Sequence, residues 1–313
     1  MKYIIAKYGT IITFIVMVLF FMVFLPPFRS QMNLVNILGQ TAILGLFSIA
    51  LTCPLKVGDI DFSIGATASL CGIAAAMLLL KGIDIHWAIG ISLAIGIVIG
   101  IFNGVLVGYL NFDSFICTIG TSLLIFGIAM GLTRGQNIFL GSEISDKFGL
   151  LGSSNVRGIP IRFLLMTLFA IPIWLFHAYT ETGRGIEAIA GNATAARLYG
   201  INVNFIKMLS FVLSGLCASA AGVVITSSIM SARAADNLQY ILGAMAACFI
   251  GASTMRIRQF HIGGTILGVF FTVVATNGFI ILMVPSYVTK IVTGTILLIA
   301  ILLSIVATKF IEK

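Results

Sequence analysis

The chain has 313 residues, 59% of them hydrophobic and only 9% charged, with a mean hydropathy of +1.14. Soluble domains carry about 25% charged residues, and a water-soluble globule must still surround itself with polar side chains, so the composition argues against a soluble enzyme and for a bilayer as the solvent. The formal net charge of +8, from 18 Lys and Arg against 10 Asp and Glu, does not point to nucleic acid, because the basic residues are dispersed between apolar runs with no interleaved aromatic platform; they read as loop ends and contacts to anionic lipid headgroups.

At the N-terminus, Lys2 and Lys7 precede an apolar run over 11–25. No small-residue cleavage site follows, and Pro26, Pro27 and Phe28 end the run, so a retained first span is favoured over a secretory signal. Apolar segments then recur at 8–27, 35–55, 61–80, 86–109, 114–132, 161–179, 208–229, 241–255, 262–284 and 288–308. At about 20 residues per spanning helix these use most of the chain and leave no room for a separate soluble domain. The predicted fold is all-α: a polytopic membrane protein of about ten transmembrane helices, with 1–313 forming a single domain. Gly and polar residues within 35–80 and 241–284 leave broken or short helices open there.

An even number of spans puts both termini on one side, and Lys2, Lys7, Lys309 and Lys313 argue that this side is cytoplasmic. The loop after the sixth span, 180–206, then also lies inside, while 133–160, rich in Gly, Ser and Asn, lies outside. Ten basic residues fall inside, counting Lys56, Arg184, Arg197, Lys207, Arg256 and Arg258, against eight outside, so the bias is slight. Asn103-Gly104 is followed 17 residues later by Gly120-Thr121, and Asn277-Gly278 by Gly294-Thr295 at the same interval. Five spans separate the copies, as inverted five-helix repeats would require; chance is the competing explanation among so many small residues.

The five cysteines, at 53, 71, 117, 217 and 248, form no CxxC pair and read as small buried hydrophobes rather than as a disulfide or metal site. His86, His177 and His261 are far apart and read as structural. Asp59 and Asp61 would each cost about 2.5 to 3.5 kcal/mol in hydrocarbon on insertion scales, so they must lie at an interface, in a cavity or against a helix start. With Ser63 just after it, Asp61 is expected to cap the following span, with direct substrate contact as the alternative. Asn103, Thr118, Thr121 and Asn277 fall inside spans and could line a pathway for a hydroxylated solute; interhelical hydrogen bonding is the alternative for each. There is no GxxxxGK[ST] loop, no HExxH and no spaced acid or His cluster suited to catalysis. The residues therefore call for neither a cofactor nor an enzymatic activity, and ATP, if it drives transport, must be hydrolysed by another chain.

The inner loop is unlike its surroundings. Asn192 is a good N-cap and Gly200 a good helix end, so 193–199 is predicted as a short helix outside the membrane. It could sit in a cleft of a partner or lie on headgroups, since Arg197 and Tyr199 suit either.

GRGIEAIAGNATAARLYGINV, at 183–203, resembles the coupling-loop signature of ribose-type permeases of binding-protein-dependent ABC importers, whose pattern runs GR, AIGGN, AAR and GI. Gly183, Arg184, Ala188, Ile189, Gly191, Asn192, Ala195, Ala196, Arg197, Gly200 and Ile201 match, and Ala190 replaces the first glycine of the pair. GDIDFSIGATASLCGIAAA at 58–76 is similar to that family's IDLSVG segment, SFICTIGTSLLIFGIAMGLTRGQNI at 114–138 to its PFIVTLGT segment, and FVLSGLCASAAGVV at 211–224 to the small-residue helix after the coupling loop. The chain departs at GASTMRIRQFHIGGT, 251–265, where Ile257, Arg258 and Phe260 stand in place of expected glycines.

The resemblance implies the permease subunit of an ABC importer for a sugar or related polar solute in a bacterial inner membrane. It implies a dimer of two copies or two paralogues, cytoplasmic ATP-binding subunits docked through Gly191, Asn192, Ala195, Ala196, Arg197 and Gly200, and an extracytoplasmic solute-binding protein. Facing copies of Arg256 and Arg258 across a two-fold axis would repel, which a paralogue would relieve, although two copies of this chain stay the favoured arrangement because the side chains can swing into water. An ion-gradient-driven secondary transporter is the alternative, but it needs titratable groups near the bilayer centre, and apart from Asp61 and Asp113 the spans offer none. A membrane-embedded enzyme is a more distant reading, without a reactive constellation to support it.

Overall fold

Apolar segments in hydrocarbon must satisfy their backbone polar groups internally, which makes them helices. The computed structural model describes residues 2–235, 237–254 and 259–285, together with 287, 288, 291, 294 and 295. Among these the helices are α1 (Lys2–Phe24), α2 (Gln31–Leu55), α3 (Ile64–Leu80), α4 (Ile85–Gly108), α5 (Ser114–Thr133), α6 (Ser142–Ser153), α7 (Ile161–Tyr179), α8 (Glu181–Leu198), α9 (Val203–Ile229), α10 (Leu238–Ala252) and α11 (Ile262–Ile281). The protein is all-α apart from two small antiparallel pairings, β1 (Ile138–Phe139) with β4 (Ser231–Ala232) and β2 (Asn155–Val156) with β3 (Ile159–Pro160).

Six of the described helices, α2, α4, α5, α7, α9 and α11, are long and apolar enough to cross a membrane. The expected first, third and eighth spans correspond to shorter apolar stretches, Gly9–Phe24, Ile64–Leu80 and Tyr240–Ala252. The expected tenth, 288–308, lies outside the described residues but for a few positions, as do Lys309, Lys313 and the Arg256, Ile257 and Arg258 of the divergent turn. Of the about ten spans expected, six qualify by length and composition among the described residues. Helix starts are set by caps: α9 begins at Val203 rather than at 208 because Phe205 N–H donates to Asn202 Oδ1 at 3.0 Å.

α9 is the axis of the bundle, packed by α2, α3, α4, α6 and α8. Gly96, Gly100, Gly104 and Gly108 recur every fourth residue on α4 and face α9, where side chains would collide with Gly215 O, Phe211 O, Met208 and Asn204 O in turn. Without a hydrophobic drive between helices in lipid, such small-residue stripes let backbones approach and gain van der Waals contact. Gly222 of α9 likewise lies against the Ala68 carbonyl of α3. The core joins Leu46, Phe47, Ile49 and Leu51 of α2 to Ile64 and Ala68 of α3, Cys217, Ala218 and Ala221 of α9, and Ala244 and Cys248 of α10.

The 133–160 segment is not the open loop its composition predicts. It contains α6, whose Phe148 is buried beneath Ile144 and Leu151, and Ser227 Oγ of α9 donates to the Phe148 carbonyl. All five cysteines are free, and four are buried.

Candidate functional site

The polar chemistry gathers at one end of the bundle, where α2 turns into α3 and α7 continues into α8. Thr180 starts α8, its Oγ1 accepting from Gly183 N–H at 3.0 Å. At Asn192 the backbone becomes extended (φ −161°, ψ 104°), dividing α8 into 181–191 and 193–198. Asn192 Oδ1 accepts from Ala195 N–H at 3.0 Å and caps the second piece; Gly200 ends it at φ +83°, a left-handed conformation that glycine adopts without penalty. Sequence reasoning found the cap, the stop and the short helix, but not the helix at 181–191.

The segment is fastened on one side only. Ile186, Ile189 and Ala196 are buried with Val57, Val203 and Ile206, and Arg197 Nη2 donates to Asn204 Oδ1 at 3.0 Å. On the other side Leu198 and Tyr199 are 84% and 88% exposed. Of the six residues the resemblance singled out, Gly191, Asn192, Arg197 and Gly200 are exposed, Ala195 is half-buried, and Ala196 faces the core. Tyr199 is exposed, as an interface group must be, and Leu198 beside it is an exposed group that sequence reasoning does not single out, although its place just before a helix-ending glycine is a usable signal.

Val57 belongs to the turn from α2 to α3, whose two aspartates are both buried. Lys207 Nζ of α9 lies 2.9 Å from Asp59 Oδ2. Asp61 Oδ1 accepts from Ser63 N–H at 2.9 Å and from Ser63 Oγ at 2.6 Å, and its Oδ2 accepts from Ser214 Oγ of α9 at 2.8 Å. The expected cap is therefore displaced by two residues: α3 starts at Ile64, its N-cap Ser63 uses no side-chain bond to the helix, and Asp61 holds Ser63 instead. In this turn, outside both helices, burial pushes the Asp61 carboxyl up from the ordinary carboxylate range, opposed by the Ser63 and Ser214 bonds.

The predicted pathway residues divide between the two ends. Asn103 Nδ2 donates to Ser63 Oγ at 2.8 Å, joining α4 to the Asp61 network and leaving its buried Oδ1 without a partner among the described residues. Thr118 Oγ1 accepts from Phe62 N–H at 3.0 Å and donates to the Ser114 carbonyl at 2.7 Å. Thr121 is buried on α5. Asn277 lies apart, exchanging bonds of 3.0 and 2.9 Å with Asn33 of α2. Asp113 caps α5 by accepting from Ile116 N–H at 3.0 Å. Among the described residues, no three His, Cys, Asp or Glu side chains gather as a metal site. His261 accepts from Gly264 N–H and starts α11, while His177 is buried and neither ring nitrogen has a hydrogen-bond partner among the described residues.

Residues 33–301 match the family model described as branched-chain amino acid transport system / permease component. The chain is 33% identical to the ribose import permease protein RbsC of Haemophilus influenzae over 278 residues, covering 88% of this chain and 86% of that one. It is 32% identical to RbsC of Bacillus subtilis over 297 residues, 95% and 92% of the two chains. It is 30% identical to the D-allose transport system permease protein AlsC of Escherichia coli over 304 residues, 95% and 91%. No solved structure matches the chain.

Proposed function

Because the chain belongs to the branched-chain amino acid transport system permease family, we propose that it is the multi-pass inner-membrane subunit of an ABC importer for a sugar. The named relatives carry ribose and D-allose permease names, which supports a sugar over the amino acid of the family description. The observation that carries the mechanism is the one-sided fastening of α8: a helix capped at Asn192, ended at Gly200, anchored through Ala196 and showing Leu198 and Tyr199 outward. Large exposed apolar groups at the tip of a membrane protein fit a pocket in a partner, here a cytoplasmic ATP-binding subunit. In this reading Gly191, Asn192, Ala195, Arg197 and Gly200 shape the docking surface, and Ala196 anchors it from behind.

The α8 end is then cytoplasmic, the even span count would put both termini on that side of the membrane, and residues 1–313 form one permease domain. Motion of the ATPase reaches the bundle through Val57, which packs under α8, and through the Asp59–Lys207 pair, which ties the α2–α3 turn to α9. A solute-binding protein delivers sugar at the opposite end, and a second copy or a paralogue completes the pathway. Asn103, Thr118, Thr121 and Asn277 are amide and hydroxyl groups at span depth, and a sugar reaches the three that are bonded between helices in a conformation that breaks those ties. Inverted five-helix repeats are supported by the packing: α9 lies on α3 and α4 as α2 lies on α10 and α11, and α2 and α9 pack on each other.

The test is reconstitution in proteoliposomes with the ATP-binding and solute-binding partners. Sugar uptake should require ATP and both partners. Uptake by this chain alone on a proton or sodium gradient would overturn the reading in favour of a secondary transporter. Asp61 and Asp113 do not favour that alternative, since one is held by Ser63 and Ser214 and the other caps α5.

A further inference from the structure

At the end opposite α8, one face of α2 leads from a polar mouth to an apolar groove. Met32, Val35, Asn36, Gly39 and Leu46 fall at helical spacing and share that face. Its outer part lines a cleft of about 440 Å³ with Gln31 and the Asn155 and Gly158 of the β2–β3 hairpin. Its inner part, at Leu46, floors a groove of about 80 Å³ walled by Ile89 and Leu93 of α4, Leu151 of α6, and Leu165 and Phe169 of α7. The groove is lined without polar surface.

Arg162 lies between the two. It is in the first turn of α7, and its guanidinium occupies the space that a side chain on Gly39 would need. An arginine at a helix end in a membrane ordinarily extends its charge to water. This one is half-buried, and its Nε is buried without a hydrogen-bond partner among the described residues. Half-burying a guanidinium is costly unless an anion lies against its open side. Ile161 N–H of α7 already donates to the Ser154 carbonyl, and Pro160 supplies no side-chain cap to the rest of that first turn. Arg29, two residues before Gln31, and Arg157, beside Gly158, add exposed positive charge around the mouth.

We infer that this lane is a binding site for an anionic phospholipid, with the headgroup phosphate accepting from Arg162 and one acyl chain lying in the Leu46, Leu93, Phe169 groove. The occupant is a lipid rather than an acidic patch of a soluble protein because the cation sits directly above an apolar groove between α4 and α7. A phosphate alone leaves that groove empty, and a folded protein has no chain to place in it. Guanidinium and phosphate match in charge and in fork geometry. The site requires that the helices span a membrane and does not depend on the transport reading.

The test is native mass spectrometry of the full chain, purified in detergent and titrated with phosphatidylglycerol, phosphatidylcholine or glycerol 3-phosphate. Phosphatidylglycerol should bind about tenfold more tightly than phosphatidylcholine, and glycerol 3-phosphate should not displace it. Arg162→Gln should bring phosphatidylglycerol down to the phosphatidylcholine level, Arg162→Lys should keep most of the preference, and Leu93→Trp, which fills the groove, should weaken both lipids. Equal binding of the two lipids by the wild-type chain overturns the proposal without any variant. So does displacement by glycerol 3-phosphate at the lipid's own concentration, which marks a free-phosphate site. Unchanged lipid binding by Arg162→Gln with weakened docking of the solute-binding protein reassigns the arginine to a protein interface.

Discussion

The Asp59–Lys207 pair tests whether the turn under α8 transmits force or only holds the fold. The Asp59 side chain is 9% exposed and that of Lys207 24%, at a separation of 2.9 Å. Breaking a fully buried pair from one side costs about 3 to 5 kcal/mol and breaking an exposed one about 0 to 1; with one partner buried and the other a quarter exposed, Lys207→Met should cost about 2 to 3 kcal/mol, on the scale set by those limits. The double variant Asp59→Asn with Lys207→Met removes both charges and leaves no uncompensated carboxylate, so most of the stability should return. Thermal melts in detergent measure this half of the cycle. The other half is the ratio of ATP hydrolysed to sugar taken up in the reconstituted complex. If the pair carries motion from α8 to α9, the double variant is stable but hydrolyses ATP with little uptake. A stable double variant with the wild-type ratio would refute transmission, and a Lys207→Met cost below about 0.5 kcal/mol, the level of an exposed pair, would refute the burial argument itself.

Leu198→Ser with Tyr199→Ser should leave the melting temperature unchanged, since both side chains are exposed, while abolishing ATP-driven uptake; Ala196→Glu, which buries a charge, should instead lower the melting temperature and the yield of folded protein. Asn192→Ala should cost about 1 kcal/mol through the lost cap and reduce recovery of the ATP-binding subunit in co-purification. Gly222→Ala places a methyl against the Ala68 carbonyl and should cost about 1 to 3 kcal/mol by overpacking, whereas Gly127→Ala, with open space around it, should be close to neutral in the same melts. Because burial raises the Asp61 carboxyl, the folded state holds that proton more tightly than the unfolded chain. The stability tied to it is full below the unfolded pKa and is lost as pH rises through the folded one, so Asp61→Asn should gain in melting temperature relative to wild type as pH increases.

How much of this was legible follows from the range over which each signal acts. Span positions needed only local apolarity, and Asn192 and Gly200 mark a helix start and stop from their own residue types, so both could be read along the chain. The Gly96, Gly100, Gly104, Gly108 stripe was equally present in the sequence, yet only the partner makes it meaningful, because a glycine stripe says that something comes close without saying that it is α9. Gly, Ser and charged residues outnumber the apolar ones in α6 and mask it in the sequence, although Ile144, Phe148 and Leu151 stand at helical spacing. Asp61 was read as a local cap since its neighbour Ser63 is local; its bond to Ser214 joins residues 153 apart and leaves no trace in nearby sequence. Arg162 was counted only as one charge at a loop end, and the notch at Gly39 that receives it lies on another helix.

The buried polar ties also bear on how a closed bundle can open. Four bonds hold three of the pathway candidates between helices: Asn103 to Ser63, Phe62 N–H to Thr118, and the reciprocal pair between Asn33 and Asn277. Interhelical hydrogen bonds inside membrane proteins average about 0.6 kcal/mol each, so releasing all four costs roughly 2 to 3 kcal/mol. That is the size of the gap between two conformations that coexist in an ensemble. Packed glycine contacts such as Gly222 against Ala68 and Gly96 against Gly215 have no such alternative partner, and separating them forfeits contact along whole helices. Rearrangement should therefore run along the hydrogen-bonded seams while the glycine contacts that pack α3 and α4 onto α9 are kept, and the seam between the α2–α3 turn and α5 is the one that lies next to α8.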